Sequence, residues 1–368
     1  LRITIEIILI WGFVFLGIAL TFIENKLTFA KRKKVLFVFI CCLILFFTFR
    51  TIGLDLPNYY AWYNKTNIAN FEELYRNSQY NNFEPFFVVE VFLLKMLNLG
   101  FRSFLFINIS VPLLIIYRII IKNTKRVCMY FSMFLVINIF YFDVIRAFFA
   151  STIFFLAIMQ KNKIKKFSLF VFDYFIHYST IVATLSYLFM NKKINIKIIV
   201  KVFVVSAVIV LFLNVLINNN LFSTFSVGKK FEMYLFADEN YNFLSKSHYF
   251  LFYTMKIFPT VIAFFMLCFC YHNYKNYNFD EMIIYNYVLI GGVIMVACLG
   301  VNALTLGSRL FQVFSLGIFY LIGKTIEMNN NKTVLYGIVC IVFVLYNFIM
   351  TLYYMGIFSS ESSYYIGF

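Results

Sequence analysis

The chain reads as an all-α polytopic membrane protein with about 11 to 12 transmembrane helices, one of them a broken helical hairpin. Three observations carry that prediction. Apolar residues make up 62% of the chain and charged residues only 13%, with a mean hydropathy of +0.84; a soluble domain carries roughly 45–50% apolar and about 25% charged residues. Apolar runs of about twenty residues recur from end to end, and the short alternating strands of a membrane barrel are not seen. Lys and Arg gather in short clusters between those runs, as they do in cytoplasmic loops. With no repeat and no soluble stretch, residues 1–368 read as a single integral membrane domain with external segments 50–84 and 218–249.

The same clustering removes the nucleic-acid reading that a net charge of +16 invites. All seven cysteines fall in apolar runs without CxxC or Cys/His spacing, so neither a disulfide framework nor a metal site is expected.

The basic clusters orient each element. Lys26 with Lys31-Arg32-Lys33-Lys34, Lys122/Lys125/Arg126, Lys161/Lys163/Lys165/Lys166, Lys192/Lys193/Lys197, Lys275 and Lys324/Lys332 are placed in the cytoplasm. Ile3 to Ile23 then descends from outside as a retained span, and Val35 to Phe49 returns to an outer segment beginning at Arg50. Pro85 to Ile121 is too long for one helix, and two spans would put Lys122 to Arg126 outside. It is therefore expected as a tilted or interfacial segment, Phe86 to Leu97, followed by one span. Val127 to Asp143 rises and Ala147 to Met159 descends, which leaves Arg146 at an outer turn.

Phe167 to Met190 has basic clusters on both flanks, and its length of about 24 residues cannot make two full spans at 1.5 Å per residue. Two half-helices meeting near His177 satisfy both constraints; a single span that violates the charge rule is the alternative. Further on, Ile198 to Ile217 rises, Leu251 to Tyr271 descends, and Ile283 to Leu304 rises to Arg309. Phe311 to Ile322 then falls, and Val334 to Tyr354 rises last.

This topology gathers Arg50, Arg146, Arg309 and His177 on one side. An Arg at the centre of a span costs about 2.5–3.5 kcal/mol on insertion scales, so each of these residues pairs, snorkels or does chemistry. Converging arginines suit a phosphate or pyrophosphate, whereas Arg50 taken alone also fits a snorkelling interfacial residue. Tyr59, Trp62 and Glu84 in the outer segment point to a carbohydrate-facing surface, although the aromatics equally fit an interfacial belt. Asp143 and Arg146 stand three apart and Asp173 and His177 four apart, each pair on one helix face. Asp173 either orients His177 or only neutralises local charge.

A span ending Phe49-Arg50-Thr51-Ile52-Gly53-Leu54-Asp55 with tyrosines behind it resembles the EpsG/Wzy group of polysaccharide polymerases. Phe142-Asp143-Val144-Ile145-Arg146-Ala147-Phe148-Phe149-Ala150 is similar to that group's Arg-x-x-x-Ala helix, with Asp143 and Ala147 departing from its frequent Asn and Gln. Phe175-Ile176-His177-Tyr178-Ser179 resembles its His-x-Ser element, and Ser308-Arg309-Leu310-Phe311 its late arginine, in matching order over roughly residues 40 to 325.

The resemblance implies a GT-C-like glycosyltransferase of the bacterial inner membrane, facing the extracytoplasmic side. It would polymerise undecaprenyl-pyrophosphate-linked repeat units for O-antigen, capsule or exopolysaccharide, with a chain-length regulator as a further partner and no cofactor. Arg50, Arg146 and Arg309 are then expected on the pyrophosphate, without a metal, and His177 or Asp55 as the base. Two other readings remain: an O-antigen ligase, which uses the same donor, and a flippase or transporter of lipid-linked oligosaccharides, which predicts an inverted repeat that the sequence lacks.

Overall fold

A computed structural model describes residues 2–53, 55–65, 84–139, 142, 144–191, 193–218, 246–271, 274–300, 303–329 and 331–360. Asp143 and most of the two external segments (66–83 and 219–245) lie outside the described residues.

The described chain is helical throughout. The first seven helices are α1 (Arg2–Ile23), α2 (Phe29–Phe49), α3 (Leu56–Lys65), α4 (Pro85–Met96), α5 (Phe101–Asn123), α6 (Val127–Asn138) and α7 (Ile145–Ile158). The remainder are α8 (Lys163–Ile176), α9 (Thr180–Met190), α10 (Ile196–Asn218), α11 (Lys246–Tyr271), α12 (Phe279–Gly300), α13 (Leu304–Ser315), α14 (Ile318–Met328) and α15 (Lys332–Ser360).

Four helices among the described residues are long and apolar enough to cross a membrane: Ile5–Lys26, Phe101–Asn123, Phe279–Gly300 and Lys332–Leu352. The pair α13/α14, bent by 48°, makes a fifth if counted as one span. The other expected spans are shorter apolar helices, such as α6, α7 and α9, or helices with basic ends, such as α2. The chain is an all-α, multi-pass membrane protein.

The short helices α6 and α7 are buried on nearly every side, the signature of a helix surrounded by others. Helix α1 packs on α6, α2 on α5, α5 and α8 on α7, and α14 on α6, so the pair forms the centre of the bundle. Helix α6 starts with no side-chain cap of its own. Glu24, at the end of α1, supplies one by accepting from the Cys128 and Met129 N–H groups at 2.9 and 3.3 Å. Arg32 Nη1 donates to Lys125 O at 3.0 Å, and Thr124 and Tyr130 both donate to Glu327. These bonds gather the basic loops at one end of the bundle.

The opposite end is spanned by α4. Its N-cap Glu84 reaches α7 and α8, and the turn that follows it feeds Arg102 of α5 onto the C-terminal carbonyls of α2. Both ends of α4 therefore lie at the same end of the bundle. A 12-residue helix is about 18 Å long, and this one lies across the bundle rather than through it, in keeping with the tilted or interfacial reading. The turn is a Schellman motif: Leu99 N–H donates to Leu94 O and Asn98 N–H to Lys95 O, both at 2.9 Å, with Asn98 at φ 54°.

The Phe167 to Met190 segment is broken as the charge pattern predicts. Helix α8 ends on His177, which is extended at φ −155° and ψ 116°, and α9 starts three residues later. The His177 carbonyl accepts from the Thr180 N–H at 3.0 Å and the Thr180 hydroxyl at 2.8 Å, closing the break.

Candidate active site

Glu84 is the hub of the site, and its sequence context explains its placement. It precedes Pro85, which starts α4 because its fixed φ suits the first helical position. A residue before proline is held extended, and Glu84 sits at φ −73° and ψ 153°. Its side chain is thereby turned back toward α7 and α8. Oε2 accepts from Arg146 Nη1 at 2.6 Å and Oε1 lies 2.9 Å from His177 Nδ1, with the Glu84 side chain fully buried. Arg146 and His177 remain 21% and 13% exposed, so each reaches the surface of the site.

Arg146 stands in the first turn of α7, where the helix dipole adds to its positive charge. Its Nε donates to the Tyr59 hydroxyl at 3.1 Å and its guanidinium lies over the Tyr59 ring at 5.7 Å. Burial, opposed by the nearby Arg146 charge, pushes the Tyr59 phenol up to about 12, so Tyr59 stays neutral beside the cation. Asp55 stands at the start of α3, its carbonyl accepting from the Tyr59 N–H at 3.1 Å.

A carboxylate that bonds Nδ1 as an acceptor fixes the proton there and leaves the ring's lone pair on Nε2. The expected partner for that task was Asp173. Its buried carboxylate lies by the Thr180 side chain rather than on the ring, because residue 173 lies on α8 before the helix breaks, while Nδ1 meets Glu84 at the start of α4. Glu84 holds the position instead.

Arg50 is 4% exposed, and its Nη2 donates to the Phe142 carbonyl at 3.0 Å, just ahead of α7. It braces the turn that carries Arg146. Arg309 is half-buried inside α13 rather than at a helix end. Helix α13 packs on α7, and the Ser151 hydroxyl of α7 donates to Gln312 O at 3.5 Å, one turn beyond Arg309. Trp62 was expected to offer a flat face to sugar, but it is 6% exposed and packs edge-on against Phe104. It anchors α3 to α5.

Residues 33–365 match the EpsG family, nearly the whole chain. The chain belongs to the EpsG family. No curated protein and no solved structure matches it. The EpsG family includes Wzy-type polymerases, so the EpsG chain is a membrane protein of the polysaccharide-polymerase kind.

Two charged residues beside the candidate site are not singled out by the sequence. Glu6 of α1 accepts from the Thr51 and Ile52 N–H groups, and Arg102 of α5 donates to the Thr48 and Arg50 carbonyls. An acid inside an apolar run is itself a functional signal, and Glu6 carried it. Its partner was hidden because nothing in the spacing links residue 6 to residue 51.

Proposed function

We propose that this chain polymerises undecaprenyl-pyrophosphate-linked oligosaccharide repeat units at the extracytoplasmic face of the bacterial inner membrane, within a GT-C-like architecture and without a metal. The observation that carries this reading is the Glu84 bridge, which joins an arginine able to hold a pyrophosphate to a histidine able to take a proton. The site also lies at the end of the bundle away from the basic loops, which by their charge face the cytoplasm.

In the reaction, the bond between the growing glycan's anomeric carbon and the donor pyrophosphate breaks as an acceptor-sugar oxygen bonds to that carbon. The hydroxyl proton passes to His177 Nε2, Nδ1–H being directed to Glu84. Undecaprenyl pyrophosphate leaves with the developing charge, which Arg146 and Arg309 stabilise; removing one such donor costs about 2.7–4 kcal/mol in barrier. Arg50 supports Arg146 through the Phe142 carbonyl. Asp55 lies beyond Tyr59 and is the alternative base.

The test uses purified protein in nanodiscs with lipid-linked repeat units. Arg146→Lys and Arg309→Lys keep the charge and lose the planar fork. Each is expected to cut chain extension by about 10²-fold or more at unchanged protein level, and wild-type activity is expected to persist in excess EDTA. Long polymer from both lysine variants at normal abundance would sink the assignment. Loss of activity on chelation, restored by Mg²⁺ or Mn²⁺, would remove the metal-free mechanism.

A further inference from the structure

All of α1 precedes the stretch matched to the EpsG family, yet it touches the site. The Glu6 carboxylate accepts from the Thr51 N–H at 3.0 Å on both oxygens, from the Ile52 N–H at 3.1 Å and from the Thr51 hydroxyl at 2.5 Å. On the other side of the same turn, Arg102 Nη1 donates to Thr48 O at 2.8 Å and to Arg50 O at 3.1 Å, its guanidinium lying over the Phe49 ring. An anion thus holds the N–H groups that follow Arg50, and a cation holds the carbonyls at and before it.

A neutral Ser or Asn is enough to satisfy the N–H groups of a turn. A carboxylate and a guanidinium among apolar helix ends are costly choices for that task alone. Their bonds are charge-assisted and roughly twice as strong as neutral ones, which suits a turn that must not shift. The residue so bracketed is Arg50, whose guanidinium carries the Phe142 carbonyl and the start of α7.

We propose that Glu6 and Arg102 are positioning residues: they lock the turn after α2, and through Arg50 they fix the register of Arg146 against Glu84 and His177. What that register serves rests on the polymerase reading above; the mechanical coupling from α1 to α7 does not. Helix α1 is then a working part of the site.

The experiment compares Glu6→Gln, Arg50→Lys and the double variant of the full chain in nanodiscs, by turnover of lipid-linked repeat units and by amide hydrogen exchange. A misplacement of about 1 Å costs up to 10²-fold in rate, so Glu6→Gln is expected to lose roughly 10- to 100-fold in kcat. If Glu6 acts through Arg50, the double variant is no slower than Arg50→Lys alone, whereas independent effects multiply. Glu6→Asp, which keeps the charge, is expected to recover part of the rate. Exchange in Glu6→Gln is expected to rise at Thr51 and Ile52 and also at residues 145–149 of α7.

Wild-type turnover in Glu6→Gln, or losses that multiply, would overturn the proposal. If wild-type protein polymerises nothing, the polymerase reading fails and exchange decides alone: a rise confined to residues 51–52, with α7 unchanged, would refute the coupling. Where Glu6→Gln is lost from the membrane, Thr51→Val, which removes only the hydroxyl donor, carries the same exchange test.

Discussion

Glu84 shows how one side chain sets the chemistry of two others. Its carboxylate is fully buried between Arg146 and His177, where removal of one partner of a buried pair costs about 3–5 kcal/mol. Glu84→Gln keeps the shape but loses the charge, so His177 no longer has an anionic acceptor at Nδ1 and Arg146 loses its counter-ion. The expected result is a fall in turnover of about 10²-fold or more. Asp173→Asn, at a carboxylate that lies by Thr180 and leaves the His177 ring to Glu84, is expected to retain most activity. Steady-state elongation rates of the two variants at matched protein levels check this, and the reverse ranking would return the orienting role to Asp173.

Three elements place these side chains: α4 lying across the site end, the α8/α9 break that presents His177, and α13 against α12. The last depends on two glycines. A Cβ on Gly291 would collide with Phe314, and one on Gly307 would meet Cys298 Cβ and Met295 Sδ, each at 2.7 Å. The α12–α13 contact is thus as close as backbone permits, and Arg309 sits two residues beyond Gly307. Gly291→Val forces the helices apart, an overpacking cost of about 1–3 kcal/mol. Its expected signature is a lower melting temperature in detergent, with reduced elongation from a displaced Arg309. An unchanged melting temperature would mean that α13 is not seated as tightly as the contact implies.

At the scale of the molecule, the bundle has two chemically different ends. One carries the Lys/Arg clusters tied by Glu24, Arg32 and Glu327; the other carries Glu6, Arg50, Glu84, Arg102, Arg146 and His177. Cysteines placed at exposed Ala61 of α3 and exposed Lys31 of α2, in a variant cleared of the seven native cysteines, report on opposite ends. A membrane-impermeant maleimide applied to intact cells (spheroplasts where an outer membrane is present) is expected to label position 61 and leave position 31 untouched. Labelling at position 31 alone would invert the protein and with it the extracytoplasmic reading.

Charge and hydropathy along the chain were enough to determine the all-α membrane class, the break at His177 and the short segment ahead of α5. Lipid demands apolar runs of a set length and a set side for basic loops, and both demands are written locally. Local pattern also singled out Arg50, Arg146, His177 and Arg309, because a charge in an apolar run stands out wherever it falls. It did not determine partners. Asp173 stands four residues from His177 and Glu84 stands 93 residues away, yet Glu84 makes the bond, since helix packing rather than spacing decides which carboxylate faces a ring nitrogen. The same holds for Glu6 on Thr51, and for Trp62, whose burial against Phe104 no run of sequence announces. These are contacts between elements, and their geometry exists only once α1, α4, α5 and α7 have packed together.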